Sequence, residues 1–286
     1  MAQEYQQVTV EPKPFVKWAG GKRQLLAELE KSFPKQFGTY FEPFLGGGAL
    51  LFDLLAKKPN LKCSVSDLNS DLVLAYVTIR DKLGRLIESL ENHSKNYHKD
   101  STGYYYEGRK QEPKSQIEKV SRLLFLNKTC FNGLYRVNSK GKFNVPLGRY
   151  TNPNIVNREN LTTVSKFLQS DKIKISCRDF ESILNDAKKG DFVYFDPPYQ
   201  PVSNTANFTS YTNKSFTDDD LERLANLAEK LDSMGCKVLL SNSKSKIVEN
   251  SFSSSKWKIK EIRVNRAINS NSKKRTGHSE ILVKNY

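Results

Sequence analysis

Residues 191–199 read DFVYFDPPY. Phe192 to Phe195 is a short apolar run with β-branched and aromatic content, preceded by Lys188-Lys189-Gly190, and it predicts a buried strand of an α/β sheet. The strand must stop at Asp196, because Pro197 and Pro198 cannot donate to a ladder and lock their own φ angles. A carboxylate, two carbonyls without competing N–H groups and the ring of Tyr199 are thereby delivered to a strand's carboxyl end, where open α/β sheets bind ligands. The alternative is a strand closed by a plain Pro-Pro turn, with Asp196 as its cap.

An exocyclic amino group on a nucleobase is a poor nucleophile, since its lone pair is delocalised into the ring. A carboxylate and a proline carbonyl that accept from that NH₂ draw it toward tetrahedral geometry, and a tyrosine ring can stack on the same base. Asp196, Pro197, Pro198 and Tyr199 are the candidate catalytic residues. They resemble the DPPY motif of amino-directed nucleic-acid methyltransferases, which act on adenine N6 or, in variants usually starting with Ser, on cytosine N4. A site for the methyl donor is what would make the motif decisive.

With 286 residues the chain has room for one large domain or a core with an insertion. An apolar share of 37% and 27% charged residues fit a soluble globular protein, and no stretch is apolar for long enough to span a membrane. The opening MAQEYQQVTVEPKP is polar and lacks the apolar core of a signal peptide. Cys63, Cys130, Cys177 and Cys236 stand singly and three histidines show no ligand spacing, so neither disulfides nor a metal site is expected, and the expected compartment is the cytoplasm. A net charge of +15 points to a polyanionic partner.

Two further stretches bear on the donor. In Phe15–Lys22, FVKWAGGK, adjacent glycines allow close backbone approach, Trp18 offers a stacking face, and Lys17 and Lys22 supply charge. It does not match the phosphate loop of nucleoside triphosphatases, and a turn before a helix over Arg23–Ser32 explains it equally well. In Thr39–Leu50, TYFEPFLGGGAL, a short aromatic strand runs through Glu42 into Gly46, Gly47 and Gly48 and then a helical pattern, the front half of a nucleotide-binding βαβ unit. Leu51 stands where a dinucleotide fingerprint needs its last glycine, which argues against NAD and leaves another adenosine-containing ligand. After a strand over Leu61–Val65, Asp67 either holds ribose hydroxyls or caps a helix over Asp71–Arg80.

These pieces together resemble the S-adenosyl-L-methionine site of the Dam-type DNA adenine methyltransferases, whose members include those modifying GATC. The resemblance covers nearly the whole chain: KWAGGK at 17–22, FEPFLGGG at 41–48, SDLN at 66–69, FNGLYRVN at 131–138, FNVPLGRY at 143–150 and DPPY at 196–199. The motif order is that of the family's α class. The resemblance implies cofactor contacts at Trp18, Lys22, Asp67 and Asp196, with Glu42, Gly46 and Gly48 in the strand and turn. Asp179 and Phe180 are candidates for the cofactor adenine, and Asp179 reads equally as a helix cap.

Asn127–Arg158 contains six Lys or Arg residues and no acidic one, with Phe131, Tyr135, Phe143 and Tyr150 interleaved. Such a segment can meet phosphate, wedge rings between bases and form bidentate contacts to G or A; the alternative is a surface β-hairpin with solvated charge. In Dam-like enzymes this region enters DNA, which implies base contacts for Asn132, Leu134, Arg136 and Pro146, joined by Lys17 from the N-terminal motif; Tyr135, Asn138 and Arg149 are further candidate DNA contacts. Downstream, strands are expected over 172–176, Lys237–Ser241, Trp257–Val264 and Ser279–Lys284. Thr217–Met234 reads as an amphipathic helix with a capping box and Gly235 as its stop. Residues 201–215 read as a lid or an ordinary surface loop, and Arg266, Lys273, Lys274 and Arg275 as a second phosphate contact.

The expected fold is α/β: a Rossmann-like, mainly parallel methyltransferase sheet from 1–77 and 163–286, with a helical and hairpin target-recognition insertion at 78–162. The expected function is methyl transfer from S-adenosyl-L-methionine to adenine N6 of double-stranded DNA, at GATC, without a metal. The expected state is a monomer, with a cognate restriction endonuclease, if one exists, acting separately. The alternatives are cytosine N4, RNA or a glutamine amide as acceptor, and a non-catalytic DNA-binding protein on the same scaffold.

Overall fold

The computed structural model describes residues 11–18, 20–138, 140–199, 216–264 and 278–286. Its strands are β1 (Tyr40–Glu42), β2 (Cys63–Asp67), β3 (Ile173–Cys177), β4 (Phe192–Phe195), β5 (Lys237–Ser243), β6 (Lys258–Val264) and β7 (His278–Lys284). They form one sheet in the order β3-β2-β1-β4-β5-β7-β6. The first five in that order run parallel, while β7 lies antiparallel between β5 and β6. The chain builds outward from β1 to β2 and β3, then returns to the other side of β1 with β4. That reversal between β1 and β4 is the switch point at which such sheets open a ligand crevice.

The FVYF run forms the buried strand expected of it, with all four residues of β4 buried, and it lies at the centre of the sheet. Strand side chains alternate, so Phe192 and Tyr194 enter one core with Tyr40, Leu239 and Leu282. Val193 and Phe195 enter the other, with Phe41, Val238 and Leu240. Asp191 ties the start of β4 to β1 by accepting from the Thr39 and Lys188 N–H groups at 2.7 and 2.8 Å.

Helices α1 (Leu26–Glu30) and α2 (Ala49–Lys57) flank β1 in sequence. Between β2 and β3 come α3 (Ser70–Asp81), α4 (Leu83–Lys99), α5 (Ser101–Lys110), α6 (Gln116–Thr129) and α7 (Arg158–Leu168). Their buried residues, among them Leu86, Phe125 and Val164, join the core on the Phe192 side of the sheet. Helix α8 (Asp218–Ser233) covers the opposite face, and α9 (Lys246–Ser251) follows β5. The capping box of α8 forms between Thr217 and Asp220, and Gly235 ends the turn at φ +80°. Among the described residues, no helix is long and apolar enough to cross a membrane.

Three expectations are corrected. The helix expected over Arg23–Ser32 is a 3₁₀ turn at Lys22–Gln24 followed by the short α1. The tight turn eclipses residues i and i+3, and here it puts Lys22 and Leu25 inside together. The strand expected over Leu61–Val65 is shifted to Cys63–Asp67, which carries Asp67 on the strand itself. The hairpin expected within the 78–162 insertion is reduced to two isolated antiparallel bridges, Val137 with Phe143 and Cys130 with Leu147. Pro146 has no N–H to extend the ladder, and Asn138 closes the turn by accepting from the Lys140 and Lys142 N–H groups at 3.0 Å. The lid stretch 201–215 and the basic residues 266 and 273–275 lie outside the described residues.

Candidate active site

The glycine turn joins β1 to α2 with Gly46 at φ +50° and Gly48 at φ +70°, angles that L side chains rarely adopt. Side chains there would also collide: a Cβ on Gly48 would lie 2.5 Å from the Tyr76 hydroxyl, and one on Gly46 would lie 3.1 Å from the Trp18 indole. Tyr76 donates to the Gly46 carbonyl at 3.0 Å. Asp67, half-buried at the end of β2, accepts from the Gly46 and Asn69 N–H groups, each at 2.8 Å. Capping of α3 falls to Asn69, whose side chain accepts from Leu72 N–H at 3.0 Å, so Asp67 is not the cap. Burial pushes the Asp67 carboxyl above its ordinary pKa, partly countered by these N–H donors.

Glu42 is buried at the end of β1 and takes a hydrogen bond from the Tyr40 hydroxyl at 2.9 Å. Burial, reinforced by the nearby Asp196 and Asp67, raises its pKa well above the usual carboxylate range. Asp196 sits at the end of β4, across β1 from Asp67. Its Oδ1 accepts from Lys22 Nζ at 2.8 Å and from Ser241 Oγ at 3.2 Å; among the described residues Oδ2 takes no bond. Burial raises the Asp196 pKa, while Lys22 and Ser241 restrain the rise and Glu280 adds to it. The Tyr199 hydroxyl accepts from Lys22 Nζ at 2.6 Å and donates to Glu280 Oε2 at 2.7 Å. Pro197 is buried and Pro198 is exposed.

The residues at this strand end suit an adenosylated, cationic donor. In a chain of net charge +15, the acidic residues Glu42, Asp67 and Asp196 gather here, with Lys22 bonded to Asp196. A glycine turn without room for side chains lies beside an acid whose free lone pairs can meet diol hydroxyls. Phe180 stacks on Phe44 at 5.3 Å, and the Arg223 guanidinium lies 4.7 Å from the Phe180 ring centroid. Asp179 caps the 3₁₀ helix Phe180–Asn185, accepting from Glu181 N–H at 3.0 Å, and pairs with Arg223 at 2.9 Å.

The basic segment meets the N-terminal motif through Asn127, a buried residue that sequence reading passed over. Its amide accepts from Lys17 N–H at 2.8 Å and donates to the carbonyls of Lys17 and Gly133 at 2.8 and 2.9 Å. Trp18 stacks on Tyr135 at 5.3 Å, and the Tyr135 hydroxyl donates to Asp71 at 3.2 Å. Arg136 bonds Asn144 through Nε at 2.7 Å. Asn132, in a left-handed conformation at φ 54°, is exposed with Phe131, Asn138, Pro146 and Arg149, whereas Leu134 is half-buried. Lys17 bonds the Tyr150 hydroxyl at 3.0 Å. Lys142 pairs with Glu112 at 2.6 Å, which leaves Lys140 the better candidate for a phosphate contact. Also missed were Ser241, Tyr76 and Glu280; only the acid in an otherwise apolar Glu280–Val283 run was a signal for the last.

Residues 18–268 match the family described as D12 class N6 adenine-specific DNA methyltransferase. The Type II methyltransferase M.MjaIII of Methanocaldococcus jannaschii is 43% identical, over 97% of this chain and 100% of its own length. M1.LlaDCHI, a Type II methyltransferase of Lactococcus lactis subsp. cremoris, is also 43% identical, over 96% of this chain and 95% of its own. The DNA adenine methylase of Escherichia coli is 31% identical over 94% of each chain.

Proposed function

The chain belongs to the D12 class of N6 adenine-specific DNA methyltransferases, and from that premise we propose that it moves a methyl group from S-adenosyl-L-methionine to adenine N6 in duplex DNA, within GATC. The observation that carries this reading is the convergence of Asp196, Asp67 and the glycine turn at the ends of three adjacent strands, β4, β2 and β1. S-adenosyl-L-methionine, when bound, supplies an electrophilic methyl group on a sulfonium sulfur. Asp67 would accept from its ribose hydroxyls, Gly46 and Gly48 would let the backbone approach, and Trp18, Glu42, Asp179 and Phe180 would line the rest.

The target base must leave the stack to reach this pocket, at a cost of a few kcal/mol. Stacking on Tyr199 returns about 1–3 kcal/mol of that. Asp196 Oδ2 and the Pro197 carbonyl accept from the amino group and hold it in line with the methyl, so catalysis is chiefly positioning and electrostatics. Lys22 holds the other carboxylate oxygen and keeps Asp196 oriented. The segment 78–162 is the target-reading part of this proposal, with Asn132, Leu134, Arg136 and Pro146 at the bases and Lys17, Tyr135, Asn138 and Arg149 around them. GATC rests on the motif resemblance, and the cytoplasm on the four scattered, unpaired cysteines; a monomer and a separately acting endonuclease complete the proposal.

Arg136 and Lys140 separate base reading from phosphate contact. A bidentate arginine–guanine pair is worth about 1–3 kcal/mol of discrimination, so Arg136→Ala is expected to relax the preference for GATC over one-base variants. Lys140→Ala is expected to weaken all duplexes alike and lower the salt slope by about one unit. Binding curves on cognate and altered duplexes at several salt concentrations check both. Equal weakening of every duplex by Arg136→Ala would make Arg136 a backbone contact.

A further inference from the structure

Tyr199 is gripped by residues from opposite ends of the chain. Lys22 Nζ donates to its hydroxyl at 2.6 Å, and that hydroxyl donates in turn to Glu280 Oε2 at 2.7 Å. A phenol of ordinary pKa is already a donor at neutral pH, and burial with the nearby carboxylates of Asp196 and Glu280 pushes this one further up. Glu280 is 5% exposed and belongs to β7, opposite Ser243 of β5 and Ile262 of β6. Because β7 runs antiparallel, its first residues lie beside the carboxyl end of β5, one strand from β4. Enclosing a carboxylate at this depth is costly unless it is paired and hydrogen-bonded. The next three residues, Ile281, Leu282 and Val283, show what packing alone selects on this strand.

We propose that Glu280 is a positioning residue for methyl transfer: accepting the phenol's hydrogen bond opposite Lys22, it fixes the Tyr199 ring on which the target adenine stacks. The inference rests on the reading of Tyr199 as that stacking face. A phenol hydrogen lies in the ring plane, so one donor and one acceptor at the hydroxyl set both the place and the plane of the ring. Glu280 also stands 3.9 Å from Lys22 Nζ, and so keeps the lysine shared between Asp196 and Tyr199. The order imposed on Tyr199 serves the step in which the base is seated, and leaves the cofactor pocket at Asp67 untouched.

The test is a double-mutant cycle on single-turnover methyl transfer to a GATC duplex, with cofactor affinity followed by calorimetry. Glu280→Ala and Tyr199→Phe are each expected to slow transfer by about 10- to 100-fold, the range for losing a hydrogen bond to a charged group. The double variant is expected within about twofold of the slower single one, because both changes remove one contact. Cofactor affinity is expected to stay at the wild-type value in all three. Should Glu280→Ala fail to fold, the isosteric Glu280→Gln, which keeps an acceptor and loses the charge, is expected to fall between wild type and Tyr199→Phe. Rates that multiply in the double variant, or wild-type transfer by a Glu280 variant beside a slow Tyr199→Ala, overturn the positioning role. Wild-type transfer by Tyr199→Ala overturns the stacking reading itself.

Discussion

Asp196→Asn is expected to lower kcat by roughly 10²–10³, the loss typical of one well-placed electrostatic contact at a reacting centre. The substitution keeps the shape of the side chain but replaces an acceptor with an NH₂, and either orientation is damaging. Turned toward Lys22, the NH₂ faces a cation that bonds Oδ1 at 2.8 Å; turned outward, it faces the adenine amino group. DNA affinity is expected to hold, since the phosphate and base contacts proposed for 127–150 lie on other elements. The wild-type pH profile carries a second sign of the same group. Burial raises the Asp196 pKa, so protonation that removes the acceptor begins above the ordinary aspartate value, and the acid limb of kcat lies higher than for an exposed carboxylate. The Asn variant loses this part of the limb. Near-normal turnover by Asp196→Asn removes the carboxylate from the mechanism.

Asp67→Ala is expected to weaken S-adenosyl-L-methionine binding by about 10- to 100-fold, corresponding to about 1.5–3 kcal/mol for hydrogen bonds to a charged acceptor. The helix that follows is capped by Asn69, so α3 is expected to survive the change. Asp67 also holds the Gly46 N–H at 2.8 Å, so part of the loss comes from a loosened glycine turn. Asp67→Asn keeps one acceptor oxygen for the Gly46 N–H but sets its NH₂ against the Asn69 N–H, so it is expected to fall between wild type and Asp67→Ala. Calorimetry on both variants is the check. Unchanged affinity in Asp67→Ala reduces the residue to a brace between β2 and the turn.

The parts of this site that were legible in the sequence are those encoded in local pattern. An apolar run halted by two prolines has few structural solutions, which is why β4 and the position of Asp196 at its end were readable from DFVYFDPPY. The glycine turn was readable for the same reason, since Gly46 and Gly48 adopt backbone angles that other residues avoid. Asp67 was ambiguous because a strand-end acid and a helix cap occupy the same few residues, and only the Asn69 bond to Leu72 decided it. What remained hidden depends on contacts between distant segments. Lys22 meets Tyr199 and Glu280 across almost the full length of the chain, and Asn127 meets Lys17 across much of it; neither contact leaves a local period or spacing. The helix expected over Arg23–Ser32 is shortened to Leu26–Glu30 behind a 3₁₀ turn that starts at Lys22, the residue that meets Asp196.

The central claim, transfer of methyl to adenine N6 within GATC, is tested most directly by incubating the protein with labelled S-adenosyl-L-methionine and two duplexes that differ only in that site. Digestion to nucleosides then identifies the modified base. The expected result is label in the GATC duplex alone, all of it as N6-methyladenine, incorporated roughly 10²–10³ times more slowly by Asp196→Asn. Label recovered as N4-methylcytosine, or in equal amounts from both duplexes, contradicts it.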